Sequence, residues 1–276
     1  MQQVARSITL RDGITIPTVG LGVWKAKGNE AVQAVRWALE TGYRLIDTAT
    51  IYENETEVGT AIRESGIPRE EIFLTTKLWN QDQGFASALA AIDRSLQRLG
   101  TDYVDLYLIH WPFMDYLEGE NRREETWRAM EKILACGKAR SIGVSNYTIE
   151  HLEEMERYAL VPPAVNQIEF HPFYVRRDLM EYCHAHQIAL EDYSPLSRGK
   201  WLLNERITAI ARSHDKSNAQ VLLRWALQHG NIVIPKSVHK ERIEENIRLF
   251  DFSLSPQEMD ALDGLNQNES IIFGKL

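Results

Sequence analysis

Val104-Asp105-Leu106-Tyr107-Leu108-Ile109 is a six-residue run with a single charged position, and it leads directly into His110 and Trp111. Such a run suits a parallel strand covered on both faces better than a strand with one wet face. Outward from it, short β-rich segments recur at 19–22, 44–48, 73–77, 104–110, 141–145, 165–169, 189–192 and 232–235. Longer stretches of helical period separate them. Strands alternating with helices predict a parallel α/β sheet with right-handed crossovers, and eight of them favour closure into a (β/α)8 TIM barrel. The competing architecture is an open doubly wound sheet. It is disfavoured because Gly20-Leu21-Gly22 lacks the third glycine and the helix entry of a Rossmann fingerprint.

The helical stretches carry their own punctuation. Leu89, Ile92, Leu96 and Leu99 recur at intervals of three and four, which makes one apolar stripe, and Gly100 ends it. Asn54 followed by Glu57 predicts a capping box at a helix start, closed by Gly66 and Pro68. Gly42 and Gly137 end two further helices. Three segments fall outside the repeat: 7–16, split by Asp12-Gly13, reads as a hairpin that plugs the barrel's bottom, and 203–214 and 255–265 read as extra helices. The connection 112–123 is long for a βα loop, a feature of lids and binding loops.

A chain of 276 residues fits one domain, 1–276, of this architecture. With 44% hydrophobic and 25% charged residues it is neither disordered nor a disulfide scaffold. A net charge of -8, from 31 basic and 39 acidic residues, argues against nucleic acid or anionic lipid as partner. No stretch approaches the roughly 18 apolar residues of a membrane span, and residues 1–6 lack a signal-peptide core, so a cytoplasmic monomer acting on a small molecule is expected. Cys136 and Cys183 are expected to be two buried, reduced thiols.

In such a barrel, chemistry belongs at the C-terminal ends of the strands. Asp47, Tyr52, Lys77 and His110 all fall there, from three successive strands. Each alone has a bland explanation, such as a surface lysine or a histidine satisfied by a carbonyl. Together they form a proton-handling set. Lys77 and His110 lie in apolar contexts where an unpaired charge is costly, and Asp47 supplies a partner. An ammonium beside a phenol stabilises the phenolate, so Lys77 is expected to lower the pKa of Tyr52 and make it a general acid. A neutral His110 would orient a carbonyl oxygen. Side chains cannot supply a hydride, so carbonyl reduction requires a cofactor.

The motifs go further. Asp47-Thr48-Ala49 with Tyr52-Glu53-Asn54-Glu55, Leu106-Tyr107-Leu108-Ile109-His110-Trp111-Pro112, Gly143-Val144-Ser145-Asn146-Tyr147, and Ile234-Pro235-Lys236-Ser237-Val238 with Arg242, Glu245 and Asn246 resemble the aldo-keto reductase family over nearly the whole chain. The resemblance implies a TIM barrel that binds NADPH or NADP+ without a Rossmann domain, with Asp47, Tyr52, Lys77 and His110 as catalytic tetrad. It places Ser145, Asn146 and Gln167 on the nicotinamide carboxamide, Tyr193 stacked on the ring, and Ser194 and Leu196 beside the cofactor. It puts Lys236, Ser237, Val238 and Arg242 near the 2'-phosphate and Glu245 and Asn246 near the adenine. Two cations around a phosphate suit charge-assisted binding.

One departure stands out. Glu191-Asp192 precedes Tyr193 where many family members carry a small residue, and Asp192 is expected to point away from the cofactor or to be paired. Trp24, Tyr52, Trp79, His110, Trp111 and Phe113 are expected to line the substrate pocket. A tail of 266–276 suggests an open pocket for small aldehydes, 2-oxoaldehydes or keto-sugars. Cys183-His184-Ala185-His186 is not read as a metal site, because its members scatter around one helix. The rival functions are a nucleotide-binding redox-sensing regulatory or structural subunit with little turnover and a lyase or isomerase using Lys77 as a Schiff base.

Overall fold

The structure, a computed structural model, describes residues 6–112 and 122–275. In chain order the elements are β1 (Ser7–Thr9), β2 (Thr15–Pro17), β3 (Leu21–Gly22), α1 (Gly28–Thr41), β4 (Leu45–Asp47), α2 (Glu55–Glu64), β5 (Phe73–Leu78) and α3 (Phe85–Leu99). They continue with β6 (Val104–Ile109), α4 (Arg122–Ala135), β7 (Ala139–Ser145), α5 (Ile149–Met155), β8 (Val165–Glu169), α6 (Arg177–Ala185) and β9 (Ala189–Tyr193). The last are α7 (Glu205–Ser213), α8 (Asn218–Gln228), β10 (Ile232–Val233), α9 (Lys240–Asn246), α10 (Pro256–Asp263), β11 (Glu269–Ser270) and β12 (Gly274–Lys275).

Strands β3 to β10 pair in sequence order, all parallel, in one eight-stranded sheet. Parallel bridges Val19 to Val233 and Gly22 to Lys236 join its two ends, and Gly20 N–H donates to Val233 O at 2.8 Å. The expected barrel is therefore the observed fold. Its seam also explains Gly22: a Cβ there would lie 2.8 Å from the Ile234 carbonyl oxygen, so the closing strands approach only because the side chain is missing. Because the seam pairs through isolated bridges, β3 and β10 are shorter than the segments 19–22 and 232–235 read from sequence.

Period-two alternation divides the strands between two cores. Leu45, Phe73, Leu106, Leu108, Val165 and Ile232 point into the barrel, whereas Ile46, Leu74, Tyr107, Ile142 and Ile168 pack outward beneath the helices. The β1–β2 hairpin supplies Leu10 and Ile16 to the inner cluster and so caps its lower end, as expected. Its turn is held by Ile14 N–H on Asp12 Oδ1 at 3.1 Å and by Ser141 Oγ on Asp12 Oδ2 at 2.6 Å. Above this apolar plug the inward positions become polar, and that change positions the site.

The helix ends bear out Gly42 and Gly100, both in left-handed conformation at the C-caps of α1 and α3. The two extra helices appear as α7 and α10. Two expectations are corrected. Asn54 does precede α2 but caps nothing. Its amide donates instead to the Val23 and Ala26 carbonyls at 2.9 Å each while its Oδ1 accepts from Thr48 at 2.7 Å, since two buried loop carbonyls are stronger claimants than one solvated helix end. Cys183 is buried, but Cys136 is exposed, because it follows the last turn of α4 on the solvent side. No described helix is long and apolar enough to cross a membrane.

Candidate active site

The inward alternation of three neighbouring strands delivers the expected residues to one place. Asp47 follows Leu45 on β4, Lys77 follows Phe73 and Thr75 on β5, and His110 continues Leu106 and Leu108 of β6. Lys77 is fully buried, with Nζ 2.6 and 2.7 Å from the two Asp47 oxygens, 3.0 Å from Thr48 O and 3.5 Å from the Tyr52 hydroxyl. The Tyr52 and His110 rings meet edge to face at 5.6 Å, and Trp79 packs on His110 in the same way at 5.2 Å.

Electrostatics assign protonation states. Burial acts to lower the Lys77 pKa, but Asp47 and Tyr52 outweigh it, so the ammonium stays charged. Burial and the nearby Lys77 hold His110 well below the ordinary histidine range, which makes it a neutral imidazole. Its Nδ1 is buried without a hydrogen-bond partner among the described residues. Burial raises the Tyr52 hydroxyl above its usual value, Lys77 opposes that rise and Asp47 adds to it. The expected net lowering by Lys77 is thus corrected: the ammonium is shared with Asp47 at shorter range, and its remaining pull does not overcome desolvation.

Next to these four side chains lies a hydrogen-bonded shelf from β7, β8 and β9. Ser145 Oγ donates to Gln167 O at 2.9 Å, and Asn146 Nδ2 donates to Ser145 Oγ at 3.0 Å and to His110 O at 2.9 Å. Tyr193 Oη donates to Asn146 Oδ1 at 2.7 Å, which fixes the Tyr193 ring. Asn146 holds a left-handed φ of 64°, a conformation that asparagine tolerates better than most residues. Ser194 and Leu196, both half-buried, lead into the turn after β9, and Ser194 is also left-handed. On the far side, Lys236 and Arg242 are exposed and make no ion pair among the described residues. Ser237 is buried with its Oγ accepting from His239 N–H at 3.1 Å, Val238 is half-buried, Asn246 is buried, and Glu245 accepts from Ser217 Oγ. Glu245 also lines a cleft of about 410 Å³ together with Lys216, Gln220 and Arg248.

Comparison with known proteins now decides the family. The aldo/keto reductase family profile matches residues 18–267. This chain is an aldo-keto reductase. It is 51% identical over 266 residues to the glyoxal reductase of Bacillus subtilis, covering 96% of this chain and 94% of that protein. Among solved structures, an aldo/keto reductase from Brucella melitensis superposes with a TM-score of 0.90 at 50% identity, over 94% of this chain and 99% of that one. The Bombyx mori aldo-keto reductase in complex with NADP gives a TM-score of 0.91 at 39% identity, over 97% and 94%. Aldo-keto reductases act on carbonyl groups and use NADPH.

The residues of this aldo-keto reductase fit that cofactor: a shelf of amide and hydroxyl groups beside Asp47, Tyr52, Lys77 and His110, and, in the segment after β10, the exposed Lys236 and Arg242, which make no ion pair among the described residues, with the buried Ser237. Asp192 is turned away, as expected, accepting both contacts from Asn231 Nδ2 at 3.0 and 3.1 Å. Cys183 faces the core whereas His184 and His186 are exposed, so these three do not converge.

Of the tryptophans expected to line the substrate pocket, contacts among the described residues bring Trp79 against His110. Trp24 lies between Lys25 and Arg198 at 4.4 and 4.3 Å from its ring. Trp111 meets Phe273 edge to face at 5.6 Å. Phe113 lies outside the described residues, as does most of the connection 112–123. Phe273 was not anticipated. The tail is short, yet its β11–β12 hairpin folds back over the mouth, where Glu169 at the end of β8 accepts from Ser270 Oγ at 2.7 Å and from Ile271 N–H at 2.5 Å. No local pattern in 266–276 announces this, because the contact is made with strands a hundred residues away. Glu191 was also missed as an inward group, although its spacing of two from Tyr193 on one strand was a usable signal.

Proposed function

We propose that this aldo-keto reductase reduces aldehydes or ketones with NADPH, with Tyr52 donating the proton to the carbonyl oxygen. One observation carries the reading: the Tyr52 hydroxyl faces a charged Lys77 at 3.5 Å and a neutral His110 across its ring. Bound NADPH supplies the hydride to the carbonyl carbon. The side chains do the rest. Tyr52 keeps its proton at neutral pH because its pKa is raised, and it gives that proton up only to an oxygen gaining negative charge. Lys77, clamped by Asp47, steadies the phenolate that remains. His110, neutral, donates a hydrogen bond to the carbonyl oxygen and sets its direction.

Ser145, Asn146, Gln167 and Tyr193 are proposed to hold the nicotinamide, with Ser194 and Leu196 alongside. Lys236, Ser237, Val238 and Arg242 would hold the 2'-phosphate, and Glu245 and Asn246 the adenine. The substrate class proposed is small aldehydes, 2-oxoaldehydes and keto-sugars, supported by the relation to a glyoxal reductase and by Trp79 packed against His110. A cytoplasmic monomer is proposed, and two cysteines outside any disulfide suit a reducing compartment. A Schiff-base role for Lys77 is disfavoured, since that chemistry needs a neutral amine and this one is clamped by a carboxylate.

The test is NADPH consumption with methylglyoxal, aromatic aldehydes and keto acids, each repeated with NADH. Turnover on small carbonyls with preference for NADPH is expected. Activity restricted to steroids would overturn the substrate class, and binding of NADPH with only a single slow turnover would favour a sensor.

A further inference from the structure

Deep to Tyr52 the barrel interior holds a second carboxyl group. Glu191 is buried on β9, opposite Gln167 of β8 in the sheet register, and both side chains point inward. Gln167 Nε2 donates to Glu191 Oε2 at 2.7 Å and to Asp47 Oδ2 at 2.8 Å. Both N–H groups of that amide are therefore taken by carboxyl oxygens. A side-chain amide has donors at one end only, and Asp47, held against the Lys77 ammonium, can only accept, so Asp47 dictates which way round the amide sits and Glu191 takes the second N–H. Nε2 faces the two carboxyls and Oε1 is turned away from them. The backbone oxygen of the same Gln167 receives Ser145 Oγ, which ties the amide to the shelf formed with Asn146 and Tyr193.

We propose that Glu191 is a positioning residue for carbonyl reduction: with Asp47 it locks the Gln167 amide so that Oε1 accepts from the nicotinamide carboxamide, setting the ring's place relative to Tyr52. This rests on the reading that the nicotinamide lies against Ser145, Asn146, Gln167 and Tyr193.

The surroundings of Glu191 suit a neutral acceptor. Asp47 from β4 and Lys77 from β5 are the charged groups that act on it, Gln167 of β8 is uncharged, and Ile232 of β10 lies opposite it in register. One ammonium serves two carboxyls, and Asp47 holds it in direct contact. Burial, with Asp47 adding, pushes the Glu191 carboxyl up to about 8, so near neutral pH it is protonated and accepts through Oε2, while its other oxygen, Oε1, is buried without a partner among the described residues. Glutamine offers the same acceptor without titrating, and leucine offers none. Above its pKa, an ionised Glu191 adds to burial and Asp47 in raising the Tyr52 pKa, which weakens the acid.

The experiment compares wild type, Glu191→Gln and Glu191→Leu. Dissociation constants are measured for NADPH and for 2',5'-ADP, which has the adenosine half but no nicotinamide, and kcat with methylglyoxal is followed against pH. Glu191→Leu is expected to weaken NADPH binding about tenfold and to lower kcat by a similar factor, as an unpaired buried N–H would. It should leave 2',5'-ADP within about twofold. Glu191→Gln is expected to recover most of both losses and to abolish the fall in kcat centred near pH 8. Equal losses of both ligands in Glu191→Leu would mean a merely structural role, and wild-type behaviour in that variant would equally overturn the proposal. Should Glu191→Leu fail to fold, Glu191→Gln decides alone: an alkaline fall retained near pH 8 overturns it. Failure of the underlying functional reading looks different, because the wild type itself would then neither bind NADPH nor reduce a carbonyl.

Discussion

The ammonium of Lys77 stands 3.5 Å from the hydroxyl of Tyr52, close enough to stabilise the phenolate and too far to take the proton's place in a short hydrogen bond. Removing the hydroxyl while keeping the ring should therefore abolish proton donation with little change in shape. Tyr52→Phe is expected to lower kcat by at least about a hundredfold with NADPH binding nearly unchanged, measured by steady-state kinetics and by quenching of intrinsic fluorescence on titration. Full activity in this variant would mean that another acid is in use.

Lys236 and Arg242 are exposed cations proposed to hold the 2'-phosphate. Charge-assisted contacts from such exposed cations are worth about 1.5 kcal/mol each, the low end of their range. Changing both to alanine should raise the apparent KM for NADPH by about a hundredfold, leave kcat within about threefold, and barely affect the KM for NADH. Equal effects on the two nucleotides would place the phosphate elsewhere.

His110 should stay neutral through the ordinary histidine range, because burial and Lys77 both lower its pKa. The unfolded chain, by contrast, takes up a proton there as the pH falls below about 6.5. The unfolded state then binds more protons than the native one, so stability declines as the pH drops below that value. Thermal melts between pH 5 and 7 should show this slope in wild type and a shallower one in His110→Gln. A reporter of the imidazole by NMR should detect no protonation near pH 6.5.

Glu191 works in the opposite direction. Its native pKa of about 8 lies above the unfolded value, so from about pH 4.5 to 8 the native state holds the extra proton and stability falls as the pH rises. Glu191→Gln should flatten that part of the profile. An unchanged slope would show that Glu191 ionises normally in the folded chain.

Gly22 sits at the seam where the first and last strands meet, with space for hydrogen only against the Ile234 carbonyl. Gly22→Ala should cost about 1–3 kcal/mol and lower the Tm by several degrees, read by calorimetry, since the obstacle is backbone and cannot rotate away.

How far the chain could be read in advance depended on what each pattern encodes. Eight strand segments and their helices were legible because alternating short apolar runs and amphipathic stripes are written in consecutive residues. The convergence of these side chains was legible for the same reason: Asp47, Lys77 and His110 each stand at a strand end, and barrel geometry sends strand ends to one rim. Asn54 was misread because its spacing to Glu57 matches a capping box, whereas its partners, the Val23 and Ala26 carbonyls, lie on another loop.

By itself the sequence determined the order of elements and the residue types at the rim, both of which follow from local periodicity. Only the tertiary structure decided that burial outweighs Lys77 at the Tyr52 hydroxyl, that Gln167 spans Asp47 and Glu191, and that the tail brings Phe273 to Trp111. Those outcomes depend on dielectric surroundings and on distances between groups far apart in the chain, quantities that exist only once the barrel has closed.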